Sequence, residues 1–183
     1  MRLETKRLIL REWTDADRDA FAAIVGDPHV MRYYPSTRRR AEADAWMDKM
    51  IAGLAEGTSH FLAVERKDDG ALLGLTGTAN INFVIPTNPK VEIGWVLGQF
   101  YWGQGYAPEA AKAALQHGFE VLKLPEIVAF TAAINQPSQR VMTKIGMVRD
   151  PAADFEHPRV AEGHPLRSHV LYRVTNPTPA VPR

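Results

Sequence analysis

Two short stretches of this sequence carry residues whose types and spacing could do chemistry. The first is Trp102-Gly-Gln-Gly-Tyr-Ala-Pro108, two glycines two positions apart in front of a helix-forming run. Gly103 and Gly105 let the backbone turn without a Cβ clash, and Pro108 has a φ already suited to a first helical turn. The unpaired amides of Gln104, Gly105, Tyr106 and Ala107, with the positive end of the helix dipole, form a phosphate site. The bland alternative is a strand-to-helix turn that binds nothing, and context has to decide between them. A dinucleotide fingerprint needs a small residue where Pro108 stands and normally sits on the first strand of a parallel sheet. A triphosphate loop ends in Gly-Lys-Ser/Thr. Neither pattern is present.

The second stretch is Asn135-Gln-Pro-Ser138, where an apolar run gives way to another helix pattern. Asn and Ser at such a place serve either as helix caps or as ligands, and both readings stand at this point. His157, His164 and His169, with Glu156 and Glu162, invite a metal reading, but their spacings match no helical or finger pattern, so no metal is expected. Arg38-Arg39-Arg40 reads as a solvated helix start, or as a contact for an acidic partner or RNA.

These stretches need elements to position them. Residues 3–13 alternate as an opening strand with a polar outer face. Thr14 as N-cap, with Asp17 three residues on, starts a helix that Gly26-Asp27-Pro28 ends, and a second helix spans about 36–57. Met31-Arg32-Tyr33-Tyr34-Pro35 joins the two, an aromatic connection of the kind that lines pockets. From 60 to 98 the period changes to two, a strand meander with strands near 61–64, 72–84 and 91–97. Asp69-Gly70 makes its first pair an antiparallel hairpin. A helix at about 108–123, a strand at 126–133, a helix at 137–145 and a last strand at 168–174 follow.

At 183 residues the chain is one domain's length, and 45% apolar with 23% charged residues suits a globular fold. A formal net charge of +1 gives no overall field toward DNA or an anionic membrane, so neither is expected as a partner. With no Cys there is no disulfide framework and no thiolate nucleophile. Glu4, Lys6, Arg7, Arg11 and Glu12 break up the first apolar residues, which argues against a signal peptide or membrane span and for a cytoplasmic protein.

Four motifs in this order resemble the GCN5-related N-acetyltransferase (GNAT) superfamily, and within it the RimJ/RimL-like branch of ribosomal-protein alanine N-acetyltransferases. They are Leu3-Glu-Thr-Lys-Arg-Leu-Ile-Leu-Arg11, Glu92-Ile-Gly-Trp95, Trp102-Gly-Gln-Gly-Tyr-Ala-Pro-Glu-Ala110, and Asn135-Gln-Pro-Ser138 with Lys144-Ile-Gly-Met147. The resemblance covers nearly the whole chain. It implies a single α/β (α+β) domain over 1–175 with a flexible tail at 176–183. The sheet would be mixed, mostly antiparallel, of about seven strands with a splayed central parallel pair, flanked by about four helices.

The resemblance further implies acetyl-coenzyme A as co-substrate, its pyrophosphate on the turn from Trp102 and Gly103 through Pro108. In that family's pattern, Gln/Arg-x-x-Gly-x-Gly/Ala, the first position here is Trp102, so a side-chain contact of that kind is missing while the amide cradle is kept. The pantetheine arm would lie along Trp95, Val96 and Leu97, with the Trp95 amide as oxyanion donor, Asn135 fixing a cofactor amide, and Ser138 donating to the leaving thiolate. The general base is left among Glu92, Glu156 and His157. Unperturbed values favour His157, with Glu156 beside it, because Glu92 would need burial to reach the same range. Tyr33, Tyr34 and Trp46 are expected to line the acceptor pocket, with packing against the sheet as the alternative. The expected reaction is direct attack by a small-molecule or peptide amine, the enzyme being a monomer or homodimer. The rival is an acyl-coenzyme-A-binding or sensing module of the same fold without turnover.

Overall fold

The period-two stretches become one nine-stranded sheet in a computed structural model that describes residues 1–177. The opening run is two strands rather than one, β1 (Arg2–Glu4) and β2 (Leu8–Arg11), because Thr5 turns the chain and its Oγ1 takes the Leu8 amide at 2.9 Å. Thr14 and Asp17 form the capping box of a short 3-10 turn that runs into α1 (Arg18–Gly26). The next helix, α2 (Arg40–Glu56), starts later than the pattern predicts. The chain before it stays extended, with the Arg38 amide tied to the Val25 carbonyl. It stops at Gly57, whose φ of 70° suits a residue without Cβ.

Strands β3 (Leu62–Arg66) and β4 (Leu72–Asn80) pair antiparallel across the Asp69-Gly70 turn, as its sequence requires. β4 ends four residues before the apolar pattern does. After it come β5 (Val91–Leu97), α3 (Tyr106–Glu120), β6 (Glu126–Ala132), α4 (Gln136–Lys144), β7 (Val148–Arg149), β8 (Phe155–Glu156) and β9 (Ser168–Thr175). The spatial order is β1-β2-β3-β4-β5-β6-β9-β7, with β8 also on β9. Seven strands have three residues or more. The two that periodicity does not show, β7 and β8, are two residues each, too short to carry an alternation. The side chain of Asn176 bonds the carbonyls of Phe119 and Leu124, and 178–183, most of the expected flexible tail, lie outside the described residues.

Alternation along the strands divides the core. Phe21, Val25 and Met47 of α1 and α2 pack on Ala63, Leu75 and Val96. Ala111, Leu115 and Met142 of α3 and α4 pack on Ile93, Ile127 and Ala129 from the other face. All neighbouring strands are antiparallel except β5 and β6. β5 is registered with β4 over seven pairs, and β6 with β9 over its whole length. Between them β5 and β6 share a single pair, Glu92↔Val128, near where both begin. The parallel strands therefore part toward their C-terminal ends.

Candidate active site

Helices α3 and α4 leave from the C-terminal ends of the two parted strands, so the glycine turn and the Asn135–Ser138 corner share one end of the sheet. That is where open α/β sheets hold ligands. The turn has the conformation its glycines allow: φ is 75° at Gly103 and 82° at Gly105, the latter being the N-cap. α3 begins at Tyr106, two residues before the predicted start. Pro108 is then its third residue, where a missing N–H removes no intrahelical bond.

The backbone of β5 faces the gap with every second residue. The Gly98 amide donates to the Leu73 carbonyl, and the Gly94 carbonyl accepts from the fully buried Thr76 hydroxyl at 2.9 Å. The even-numbered peptide groups of β5 thus turn to β4. By alternation the N–H groups of Trp95 and Leu97 turn the other way, past the last pair with β6. The Leu97 carbonyl on that side is taken at 2.8 Å by the Trp102 indole N–H, so a pantetheine amide would have only the Leu97 N–H to use. Trp102 thus closes the strand's end with its ring. Val96 points into the core under α1 and α2.

At the second corner the cap reading is the one observed. Asn135 Oδ1 accepts the Ser138 amide at 3.2 Å and its Nδ2 donates to Thr131 Oγ1 at 2.8 Å. Its side chain therefore orients Ser138, which lies half-buried in the first turn of α4.

The titratable groups reverse the order that unperturbed values suggest. Glu92 points to the same face as Val96, toward α1 and α2, and burial pushes its carboxyl up to about 7 against a partial opposing pull from Arg159. Tyr34, from the loop between α1 and α2, lies within its field. Burial first and the Glu92 charge second push that phenol up to about 12. His157 stands among aromatic rings, its centroid 4.8 Å from Phe83 and 4.8 Å from His169. Burial, then the charges of His169 and Arg159, pull it down to about 4. Glu156 does not support it: that carboxylate is exposed, lies 3.2 Å from Arg167 and acts on His169 instead. Of the three candidates, Glu92 has the tuning expected of a base near neutral pH.

Tyr33 packs against Ala132, Val160 and Leu166 on the β6 side, while Trp46 lies against Phe21, 5.6 Å between centroids, and Tyr34, 6.4 Å. The three aromatics therefore do not form one wall: Tyr34 and Trp46 lie together, with Tyr34 within the field of Glu92, while Tyr33 packs beside Ala132 at the end of β6. Arg38-Arg39-Arg40 is a helix start with local partners, Arg40 bonding Asp19 at 2.6 Å and Asp44 at 2.9 Å. Among the described residues no group of three His, Cys, Asp or Glu is placed to hold a metal, and no helix is long and apolar enough to cross a membrane.

Residue types alone did not single out Arg7, Glu109, Arg32 or Arg159. Arg7 Nη1 donates to the Gln104 carbonyl at 2.9 Å, and Glu109 takes both Thr5 Oγ1 and Arg7 Nε. Arg32 lies over the Trp102 ring at 4.7 Å. The partners are far apart in sequence, so no local pattern marks them. For Arg7 and Glu109 the only signal is that each falls inside a motif quoted above.

Comparison with known proteins agrees with this geometry. Residues 7–148 match the family model described as an acetyltransferase (GNAT) domain. The uncharacterized N-acetyltransferase YnaD of Bacillus subtilis is 35% identical over 151 residues, 82% of this chain and 84% of that one. A GNAT-family acetyltransferase from Bacillus anthracis superposes with a TM-score of 0.79 at 28% identity, covering 96% of this chain and 99% of its own. The ribosomal-protein-S5-alanine acetyltransferase of Vibrio fischeri superposes at 0.77, covering 97% of each chain. At 17% identity that likeness shows the fold alone.

Proposed function

The chain belongs to the GNAT acetyltransferase family, an acetyl-coenzyme-A-dependent acetyltransferase, and we propose that it acetylates a primary amine by direct attack in a ternary complex. The observation that carries this reading is the single Glu92↔Val128 pair between the parallel strands. Beyond it the Trp95 amide turns into a gap that ends at the glycine turn. The residues fit acetyl-coenzyme A: a positive-φ turn offers helix-terminal amides to a pyrophosphate, and the φ of 82° at Gly105 is one that a residue with a Cβ rarely adopts. Acetyl-coenzyme A supplies an already activated acyl group.

The chain's own residues then do three things. The Trp95 N–H is aimed to stabilise the oxyanion that forms when an amine adds to the thioester carbonyl. Glu92, from the α1 and α2 face, accepts the proton the amine must lose, and its raised affinity for protons suits that task near pH 7. Ser138, whose amide Asn135 holds, donates its hydroxyl to the departing sulfur in this reading. With no Cys in the chain, positioning supplies the acceleration that a covalent intermediate would otherwise supply.

For the acceptor, the RimJ/RimL-like motifs favour a protein N-terminus, and a small-molecule amine fits the same chemistry. Tyr33 and Tyr34 are the aromatic groups that would border it. The test is release of free coenzyme A thiol from acetyl-coenzyme A across a panel of peptide N-termini, polyamines, aminoglycosides and amino acids. Turnover with one class identifies the acceptor. Tight binding of acetyl-coenzyme A with no thiol released by any amine would instead support the non-catalytic module.

A further inference from the structure

The loop between α1 and α2 reaches the cofactor turn through one side chain. The guanidinium carbon of Arg32 lies 4.7 Å from the centroid of Trp102 and 4.8 Å from that of Tyr33. Its Nη1 donates to the His29 carbonyl at 2.8 Å. Arg32 is exposed, and among the described residues no carboxylate is recorded within 4.0 Å of it. Of its neighbours, the Arg38 guanidinium bonds only the Ser36 hydroxyl among the described residues, whereas Arg39 pairs with Glu42, Arg40 with Asp19 and Asp44, and at the glycine turn Arg7 pairs with Glu109.

An uncompensated guanidinium stacked on aromatic rings is held in position by its faces, while its in-plane N–H groups stay available for a planar or tetrahedral anion. Five such N–H groups exist and one is used. The ring of Trp102 is oriented by its indole N–H, which donates to the Leu97 carbonyl at 2.8 Å, and its main chain leads directly into Gly103. The cation therefore stands over the first residue of the turn whose amides were assigned to a pyrophosphate.

We propose that Arg32 is a phosphate-binding residue of the acetyl-coenzyme A site, forking onto the pyrophosphate opposite the amides of Gln104 to Ala107. This rests on the acetyltransferase reading above and adds to it a contact from the acceptor-side loop. The contact also ties the loop that carries Tyr33 and Tyr34 to cofactor binding.

The experiment compares wild type, Arg32→Ala and Arg32→Lys with three donors: acetyl-coenzyme A, acetyl-dephospho-coenzyme A, and S-acetylpantetheine, which lacks the pyrophosphate. Arg32→Ala is expected to weaken binding of the first two roughly 10-fold or more, the size of a charge-assisted contact, with partial recovery in Arg32→Lys. Its kcat/KM with S-acetylpantetheine should match wild type. Equal losses with all three donors would mean that Arg32 only packs the loop, and would overturn the proposal, as would unchanged affinity for acetyl-coenzyme A. A loss confined to acetyl-coenzyme A would move the contact to the 3′-phosphate and overturn the pyrophosphate assignment. Wild type that binds none of the donors would instead remove the acetyltransferase reading itself.

Discussion

Glu109 holds Arg7 at both ends, its Oε1 accepting the backbone amide at 2.9 Å and its Oε2 accepting Nε at 2.7 Å. The hydroxyl of Thr5 adds a third bond at 2.6 Å. One carboxylate in the first turn of α3 therefore fixes the β1–β2 hairpin, and Arg7 in turn fixes the Gln104 carbonyl of the anion turn at 2.9 Å. Burial would push the Glu109 carboxyl up, but the bonds from Thr5 and Arg7 outweigh it and hold it below its ordinary value. Glu109→Ala leaves the Arg7 amide unpaired and its guanidinium with the Gln104 carbonyl but no carboxylate, so it should cost about 2 kcal/mol of stability. It should also weaken acetyl-coenzyme A binding, because Arg7, without the carboxylate that orients it, holds the Gln104 carbonyl less firmly. Urea unfolding and calorimetric titration read the two effects. Full cofactor affinity in a variant that is destabilised as expected would show that the hairpin does not position the turn.

Gly74 bears on the same strand from the other side. A Cβ there would lie 2.0 Å from the Val96 carbonyl oxygen, and its φ is 146°. Gly74→Ala must push β5 away from β4 just where the backbone of β5 is aimed at the gap. It should cost about 3 kcal/mol and lower cofactor affinity with it. Gly70→Ala, at φ 70° with nothing within 4 Å, pays only the left-handed strain of about 1 kcal/mol and should leave affinity alone. Equal midpoints for the two variants in thermal melts would contradict the close approach.

Wherever residues near in sequence determined the result, the fold was legible. The Asp69-Gly70 hairpin, the Thr14 cap, the glycine turn and the Asn135 corner each follow from a few adjacent residues, and each is found. Strands of two residues leave no alternation to detect, so β7 and β8 were invisible, and Thr5 hid the break between β1 and β2 inside one alternating run. The site was legible as a set of places but not as electrostatics. Glu92 could be located on its strand from the sequence, but its desolvation depends on α1, α2 and the loop carrying Tyr34, which approach it only in the folded chain. His157 looked suitable because its unperturbed value is near neutral. The rings of Phe83, Phe130 and Phe155 that change this come from three separate segments.

Tyr34 and Trp46 should separate in kinetics. Trp46 packs on Phe21 within the core cluster of α1 and α2, so Trp46→Ala should cost about 3 kcal/mol and raise KM for both substrates together. Tyr34→Phe keeps the packing and removes only the hydroxyl that lies within the field of Glu92. It should raise KM for the acceptor several-fold while KM for acetyl-coenzyme A stays fixed. Initial-rate measurements with each substrate varied in turn distinguish these. A Tyr34→Phe enzyme with both constants unchanged would take Tyr34 out of the acceptor site.

Glu92 should cost stability on the alkaline side. Its folded value of about 7 lies above the ordinary 4.5, so the fold prefers the protonated carboxyl. The stability this contributes is full below pH 4.5 and is lost as pH rises through 7, by an amount on the order of 3 kcal/mol. His157 has the opposite dependence: pulled down from 6.5 to about 4, it supports the fold above 6.5 and ceases to as pH falls through 4. Glu92→Gln should therefore raise the melting temperature at pH 8 relative to wild type and not at pH 4.5. Equal shifts at both pH values would mean that the carboxylate is not desolvated.

The same two values decide which group takes the proton during transfer. A base must be unprotonated to act, so kcat/KM for the acceptor should rise with pH as the base ionises and level off above its pKa. With Glu92 as base the rise is centred near 7; with His157 it would be complete by pH 5, because burial first, then the neighbouring His169 and Arg159, keep that imidazole neutral down to about 4. Between pH 5.5 and 8.5 wild type should show a limb of unit slope with its midpoint near 7. His157→Ala should keep that limb, with any loss being a uniform factor from the disturbed aromatic cluster. Glu92→Gln should remove it and lower the plateau by roughly 100-fold, the ordinary contribution of a positioned base. Loss of the limb in His157→Ala with survival in Glu92→Gln would return the proton to the histidine. Survival in both would mean that the enzyme draws already neutral amine from solution, and the limb would then shift when the acceptor is replaced by an amine of different basicity. Running the profile with two such amines separates that case from the carboxylate: a limb set by Glu92 stays near 7 with either.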